Sequence, residues 1–354
     1  MSGNFVQRGE PAIYPKFQRV AAAVNCGADI VLELPVSWAM STAQNFALGA
    51  VSQLEKAGCE KIIFGSESGD IKSLIKCADI LLSDKFSSLV KSELKKKIPF
   101  PYARESAAVQ LGANKNIFKN PNDNLGTEYI LAAKKLGLEI DFECIKRQGS
   151  LHDKTSDCEF KSSSQIREMI YSENLEEAEK SIPDCAGTVL KSAHFEPKLF
   201  NRPVLAVLRS KNAEYFKNLP DATEGLDRLL YNSVQKATGT RELLNLLQSK
   251  RYPTARLRRL VLSAFLGIDN SFFLKPPPYL RILGISGSCF EFFKRSDFPV
   301  LSKISDLNSF DEDSKRVFNL EAKAADLYGL GFKDPLPCGS EYTAHIYKGE
   351  NKND

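Results

Sequence analysis

The first eleven residues of the chain, MSGNFVQRGEP, form a polar loop whose residue types suit an anionic ligand. Two glycines give the backbone conformational freedom on either side of an asparagine, a glutamine and an arginine. The amides donate hydrogen bonds, and the guanidinium carries a fixed positive charge. A phosphate chain would satisfy both kinds of group, so the loop predicts an anion-binding segment that contains Gln7 and Arg8.

Three positions at predicted strand ends could face a ligand of the same kind. Gly65, in the segment FGSE, follows an apolar run and would let a ligand approach the backbone closely. Asn122 lies in the amide-rich segment NPNDNLG before a helix, and Arg147 ends a later strand. Taken alone, these positions favour a turn glycine, a helix-capping asparagine and a solvated arginine, with the ligand-binding interpretation left open.

The segment SSSQIR is a sharper candidate, because it opens a predicted helix. Serine hydroxyls at a helix start cap free backbone N–H groups, and the same N–H groups can bind phosphate. Ser164 belongs to this start, and Arg167 lies one turn further on and adds a positive charge. A plain serine cap is the alternative.

The densest basic segment, KRYPTARLRR at 250–259, also opens a helix. It combines five cations with one aromatic side chain, which favours contact with an RNA backbone and stacking on a base. A solvated helix face is the alternative. The candidate RNA-binding residues are Lys250, Arg251, Tyr252, Arg256, Arg258 and Arg259.

The elements that must position these residues alternate between strand and helix in the first half of the chain. Apolar runs at 29–34, 61–64 and 139–147 predict strands, and helical periodicity at 15–26, 41–57, 70–82, 86–97, 102–111 and 161–179 predicts helices. This alternation predicts an α/β fold with a parallel sheet and helices on both faces, in which ligands bind at the carboxyl ends of the strands.

The second half of the chain shows helical periodicity with little strand signal, at 203–217, 225–237, 240–249, 254–267 and 313–328. Proline and glycine residues interrupt the pattern between 181 and 200. We therefore predict two domains, at 1–182 and 183–354.

The bulk composition limits the class of protein. The 354 residues include 43% hydrophobic and 26% charged residues, and the net charge of +4 is too small to indicate nucleic-acid binding over the whole surface. Eight cysteines without C-x-x-C spacing and three separated histidines predict reduced thiols and no metal site. No run approaches the ~18 apolar residues of a membrane span, so we expect a cytoplasmic protein.

Taken together, these segments resemble the bacterial tRNA(Met) cytidine acetate ligases. The resemblance implies a Rossmann-like nucleotidyltransferase sheet followed by a mostly helical tRNA-binding domain. It implies an enzyme that activates acetate with ATP as acetyl-adenylate and acetylates N4 of the wobble cytidine in elongator tRNA(Met). The matching segments are MSGNFVQRGEPAI, GADIVLELP, FALGAV, FGSE, NDNLGTEYI, IKRQGSLHD, SSSQIR, EGL, SKRYPTARLRRLVL and YLRILG.

The resemblance also assigns site residues. It places Gly65, Asn122 and Arg147 at ATP-contacting positions and Ser164 and Arg167 at the phosphates. To these we add Gln7, Arg8 and Lys16 on the general ground of their position in and after the first loop. The implied partners are ATP with Mg²⁺, acetate and elongator tRNA(Met), and neither DNA nor a membrane.

One feature departs from the family pattern: the sequence contains no H-x-G-H motif. In the family this motif lies between a first strand and a first helix that precede the equivalent of Met1, so the catalytic residues stay unassigned. We expect the first strand of the sheet to be missing from this chain, and we hypothesise that Met1 is an internal methionine. The alternative functions are an inactive RNA-binding remnant and an adenylyltransferase for another small carboxylate or phosphate substrate.

Overall fold

The computed structural model describes residues 1–148, 161–249, 251–287, 289 and 297–349. The strands are β1 (Phe5–Val6), β2 (Glu10–Pro11), β3 (Ile30–Glu33), β4 (Lys61–Ser66), β5 (Asp141–Lys146), β6 (Leu280–Ser286), β7 (Val300–Leu301) and β8 (Tyr347–Gly349).

The α-helices lie between these strands and make up most of the second half of the chain. They are α1 (Lys16–Asn25), α2 (Val36–Ala39), α3 (Ala43–Lys56), α4 (Ile71–Leu82), α5 (Asp84–Lys95), α6 (Phe100–Gln110), α7 (Asn116–Lys119), α8 (Pro121–Leu136), α9 (Ser163–Tyr171), α10 (Leu175–Glu179), α11 (Asn201–Arg209), α12 (Leu226–Lys236), α13 (Thr240–Leu247), α14 (Thr254–Leu266), α15 (Glu312–Tyr328) and α16 (Ser340–Thr343). Short 3₁₀ helices cover Asp184–Lys191, Ala213–Asn218, Asn270–Phe273, Ile304–Ser309 and Gly329–Gly331.

The chain divides into two compact units. The first unit combines Met1–Thr42 with Ser163–Asp354, and the second unit is Ala43–Ser162. The second unit is thus inserted in sequence between the two parts of the first. The boundary expected at 182/183 falls within the first unit, and the proposed division of tasks across it stays a prediction.

The first unit contains a mixed sheet centred on β6. Strand β3 pairs antiparallel with β6, and β7 and β8 pair parallel with it. Every residue of β6 is buried, so the strand is covered on both faces. The α/β class is confirmed, but the expected pairing of β3 within one parallel sheet is wrong, because a buried strand that the sequence analysis did not predict takes that place.

A disulfide bond joins two distant parts of the first unit. Cys26 follows α1, and its partner Cys185 lies in the 3₁₀ helix Asp184–Lys191, 159 positions further along the chain. The expectation of reduced thiols is therefore wrong for this pair. The bond links the two chain segments that flank the inserted second unit in sequence.

The second unit contains a parallel pair of strands, β4 and β5. Ile62 and Phe64 of β4 pack with Phe142 of β5 against helices α3, α4 and α8. The opposite face carries Ile63 and Ile145, which are 55% and 63% exposed. The strands therefore alternate between a packed and an open face, whereas the sequence analysis expected helices on both faces.

No helix within the described residues is both long enough and apolar enough to cross a bilayer.

Candidate functional site

The predicted strand-end residues of the second unit belong to a hydrogen-bond network around the start of α8. The Glu67 carboxylate accepts hydrogen bonds from the backbone N–H groups of Asn122 and Asp123, at 3.2 and 2.9 Å, and from the Asn122 side-chain amide at 2.7 Å. A carboxylate at a helix N-terminus satisfies otherwise unpaired donors and interacts favourably with the helix dipole. Glu67 thus occupies the position that an anionic ligand would use, and the Asn122 amide already donates to it.

Asp123 fixes the turn that follows β4. Its buried carboxylate accepts a hydrogen bond from the Ser66 hydroxyl, from the Ser68 backbone N–H at 3.2 Å and from the Asn120 amide at 2.9 Å. Glu67 and Asp123 lie inside the segments FGSE and NPNDNLG but are not among the site residues predicted from the sequence. Carboxylates next to a helix start were the signal that could have identified them.

Gly65 and Arg147 remain open to a ligand. Gly65 lies on the open face of the sheet, and a Cβ built on it would lie 3.7 Å from Arg147 Cγ. Arg147 is anchored by its backbone N–H, which donates to Ser66 O at 2.8 Å, while its side chain is exposed. Within the described residues the guanidinium has no ion-pair partner, so it can bind an anion beside Gly65.

In the first unit, the loop 1–11 forms a tight hairpin between β1 and β2. Gly9 adopts φ +73° and donates a hydrogen bond to Val6 O at 2.9 Å. A Cβ at this position would lie only 2.6 Å from Arg259 N and 2.8 Å from Arg258 Cβ. The hairpin therefore packs directly on helix α14, and only glycine combines this conformation with this approach.

Lys16 corrects the sequence analysis, because its ammonium is fully buried and already paired. It donates to Glu33 at 2.6 Å and to Glu341 at 2.7 Å, and Glu321 lies at 3.4 Å. Arg281 also pairs with Glu33, at 3.0 Å. With no exposed surface on its side chain, Lys16 offers nothing to a nucleotide, and we assign it to the core.

The other two predicted loop residues have different surroundings. Gln7 donates from its side-chain amide to Ser41 O at 3.3 Å and is half-buried. Arg8 is exposed and has no protein partner among the described residues. Arg8 is thus the residue of this pair whose charge is available to an anion.

Ser164 and Arg167 lie in the first two turns of α9, where an Arg167 N–H donates to the Ser164 hydroxyl at 3.1 Å. The last residue of the helix, Tyr171, packs edge-on against His194. Burial raises the pKa of the Tyr171 phenol, Arg167 lowers it, and the Glu10 carboxylate raises it. Residues of α9 and of the first hairpin are therefore close enough to interact electrostatically.

Ser164, Arg167 and Tyr171 of α9 line a cleft of about 490 Å³ within the first unit. Residues of the β1–β2 hairpin form one wall, and helix α9 forms another. The floor is apolar and includes the buried rings of Phe195 and Phe200. A cleft of this size, apolar below and charged at its rim, has the properties of a small-ligand site.

The basic helix α14 contributes to the cleft but is largely paired within the protein. Arg256 donates to Asp221 O at 3.1 Å, Arg259 lies 3.4 Å from the Asp221 carboxylate, and its side chain is only 11% exposed. These two arginines hold the turn at Asp221, where the backbone adopts φ +66°. They therefore have less charge to offer an RNA than the sequence analysis assumed.

Two other basic residues of the segment are more accessible. Arg251 pairs with Glu224 at 2.9 Å, and Tyr252 donates to the same carboxylate at 3.0 Å. Arg258 pairs with Glu10 at the rim of the cleft. Lys250 lies outside the described residues. Leu257 and Leu260 of the same helix are buried.

The chain was compared with known proteins. The model of the family "HIGH Nucleotidyl Transferase" matches residues 1–339. The tRNA(Met) cytidine acetate ligase of Thermoanaerobacter sp. (strain X514) is 37% identical over 98% of this chain and 91% of that relative. The ligase of the same name from Thermotoga maritima is 33% identical over 94% and 88%.

Solved structures give the same result. The crystal structure of Thermotoga maritima TmcAL bound with alpha-thio ATP superposes with a TM-score of 0.89 at 30% identity, covering 99% of this chain and 91% of the other. The apo form of that protein gives 0.90 at 31% identity with the same coverage. The chain therefore belongs to the HIGH nucleotidyl transferases and, within them, to the family of tRNA(Met) cytidine acetate ligases.

Proposed function

We propose that this protein is an ATP-dependent ligase that acetylates N4 of the wobble cytidine in elongator tRNA(Met). The observation that carries the proposal is the cleft of the first unit, which is lined by the first hairpin, by the start of α9 and by the basic helix α14. The segments predicted to bind phosphate and the segment predicted to bind RNA therefore line the same cavity. Membership of the family supplies the reaction.

The reaction consists of two steps. An acetate oxygen attacks the α-phosphorus of ATP, which gives acetyl-adenylate and pyrophosphate. The cytidine amine then attacks the acetyl carbon, AMP leaves, and the amine loses a proton. Cationic groups assist the first step by neutralising charge that accumulates on the phosphates.

Several residues can supply the contacts that this chemistry needs. Ser164, Arg167, Arg8, Gly65 and Arg147 are our proposals for contacts with ATP, each on the ground given for it above. Asn122 can contribute through its amide oxygen, since its amide N–H donates to Glu67. For tRNA we propose Arg251, Tyr252 and Arg258, with Lys250 on sequence grounds.

The remaining partners follow from the reaction. We expect Mg²⁺ to be held mainly by the nucleotide phosphates, since within the described ranges no group of three or more histidine, cysteine or acidic side chains converges to hold a metal. We expect RNA and not DNA as the polymer substrate, and we place the activity in the cytoplasm, where tRNA is modified.

Two measurements test the proposal. The first is acetate-dependent exchange of pyrophosphate into ATP, and the second is detection of acetylcytidine in elongator tRNA(Met). Arg167→Ala should lower exchange about 100-fold, because it removes a cation at the developing charge. The matched control Arg228→Ala changes an exposed arginine outside the cleft and should leave exchange unchanged.

Each alternative function gives a different result in these assays. Binding of tRNA without any exchange would support the RNA-binding remnant. Exchange that requires a different carboxylate and not acetate would support the other adenylyltransferase.

A further inference from the structure

The cleft of the first unit contains a charged pair whose role the proposed reaction leaves open. Glu10 of β2 and Arg258 of α14 form an ion pair at its rim, and their side chains are 36% and 38% exposed. Within the described residues Arg258 has no other ion-pair or hydrogen-bond partner. Both groups therefore retain hydrogen-bonding capacity that faces the cavity.

The position of this pair is fixed by the backbone. Gly9 packs against the helix backbone at Arg258 and Arg259, so the next residue of the hairpin, Glu10, is held beside Arg258. Strand pairing between Val6 and Glu10 fixes the hairpin itself. A carboxylate and a guanidinium thus stand side by side on rigid elements, as a recognition site requires.

The pair presents an acceptor next to several donors. The Watson–Crick edge of cytosine has the complementary order, with an amine donor at N4 followed by acceptors at N3 and O2. Carboxylates accept hydrogen bonds from cytosine N4, and an arginine fork donates to two adjacent acceptors. Uracil has a carbonyl acceptor and an N–H donor in the first two places. The Glu10 carboxylate would then face an acceptor and the Arg258 guanidinium would face a donor, so neither hydrogen bond could form.

The rest of the cleft suits a base. Its volume of about 490 Å³ is in the range of small-ligand sites, and its floor is apolar. Tyr171 lies at the rim and is 42% exposed, which allows stacking on an unstacked base. Ser164 and Arg167 line the same cavity, so an acyl-phosphate bound there would lie near the base.

We propose that Glu10 and Arg258 are specificity-determining residues that recognise the Watson–Crick edge of the wobble cytosine, with Tyr171 as the stacking surface. This inference rests on the proposed function and deepens it. It also changes the role of Arg258, which reads a base and does not merely contact the RNA backbone.

Fluorescence anisotropy tests this inference by measuring the affinity of the protein for two anticodon stem-loop RNAs. The two RNAs are identical except that one has cytosine and the other has uracil at the wobble position. The wild-type protein should prefer cytosine about tenfold, a factor typical of one well-paired base contact. Glu10→Gln should abolish the preference, because its amide can donate to the uracil carbonyl. Arg258→Lys keeps the charge but loses the fork and should also reduce the preference.

The control for Glu10→Gln is Glu168→Gln, which removes a second carboxylate of the same cleft that has no ion-pair partner within the described residues. It should retain the tenfold preference. Thermal unfolding of each variant checks that it is folded. A wild-type protein without preference for cytosine, or a folded Glu10→Gln and Arg258→Lys that both retain it, would overturn the inference.

Acetate-dependent pyrophosphate exchange separates this inference from the proposed function. The exchange reaction needs no RNA, so discrimination between the two RNAs is scored by itself, and Glu10→Gln should lose it whatever its rate of exchange. If the wild-type protein discriminates through Glu10 but neither exchanges nor acetylates, the recognition stands and the ligase proposal fails. If it acetylates while Glu10→Gln and Arg258→Lys both still discriminate, the ligase proposal stands and the recognition fails.

Discussion

The sheets of the two units are stabilised in different ways. In the first unit, β6 is buried along its whole length and has partners on both edges. In the second unit, β4 and β5 form a two-stranded sheet with one open face. Because two strands alone are only marginally stable, the second unit depends on apolar packing of its helices against the other face. The first unit adds buried charges and a disulfide.

The comparison teaches where each unit is vulnerable. Long-range polar contacts cross-link the first unit, since the ion pairs of Lys16 reach residues 17 and 325 positions away. In the second unit, close packing holds the elements together, as between Gly126 of α8 and the Phe64 ring of β4. A lost charge should therefore destabilise the first unit, and an added methyl group should destabilise the second.

The largest effect should come from Lys16→Met. It leaves buried carboxylates without their shared cation, and breaking a buried ion pair costs about 3–5 kcal/mol. Hydrogen exchange under native conditions should show the loss in β6 and not in β4. The control Lys275→Met removes a lysine from an exposed surface pair and should change nothing measurable. Equal loss of protection in β4 would contradict the comparison.

Removal of the disulfide should have the next largest effect. Cys185→Ser should lower the free energy of unfolding of the first unit by about 2–4 kcal/mol, because the bond closes a long loop in the unfolded chain. Cys338→Ser, at an exposed free thiol, is the matched control. Alkylation of the native protein followed by mass spectrometry shows whether the bond is present. Unchanged urea unfolding after Cys185→Ser would refute this stabilisation.

Gly126→Ala should destabilise the second unit by about 1–3 kcal/mol through overpacking, since the new Cβ would clash with the Phe64 ring. Gly65→Ala is the matched control, because its Cβ would make only ordinary contacts. Hydrogen exchange of β4 and β5 measures the effect. A Gly126→Ala protein with wild-type exchange in these strands would show that the unit is packed more loosely than the structure indicates.

The smallest effect concerns pH. Burial, and then the Glu33 charge, raise the pKa of Glu321 to about 8. Between its ordinary value near 4.5 and 8 the folded protein holds a proton that the unfolded chain has lost. The free energy of unfolding should therefore fall as pH rises from 7 to 8, by at most about 1.4 kcal/mol.

Glu321→Gln should remove this pH dependence and increase stability at pH 8. Five charged or titratable groups influence Glu321. They are Lys16 of α1, Glu33 of β3, Tyr279 just before β6, Arg281 of β6 and Glu341 of α16. Urea unfolding at several pH values provides the measurement. If the free energy of unfolding of Glu321→Gln fell with pH as steeply as that of the wild type, another group would hold the proton.

The candidate site was only partly predictable. The helix start with Ser164 and Arg167 was found from the sequence, because hydroxyls before an apolar periodic run mark a helix terminus locally. Glu10, which faces the same cleft, was not found. Its position there depends on Gly9 packing against a helix about 250 residues away, and no local pattern encodes that contact.

The sequence by itself determined the α/β class, most helix positions and the family, because periodicity and motif spacing are local properties of the chain. Only the tertiary structure decided that β3 pairs with β6, that Lys16 is enclosed by carboxylates and that Asp221 engages Arg256 and Arg259. The physical reason is that a strand or a charge specifies the kind of partner it needs, while packing of the whole unit selects which residue provides it.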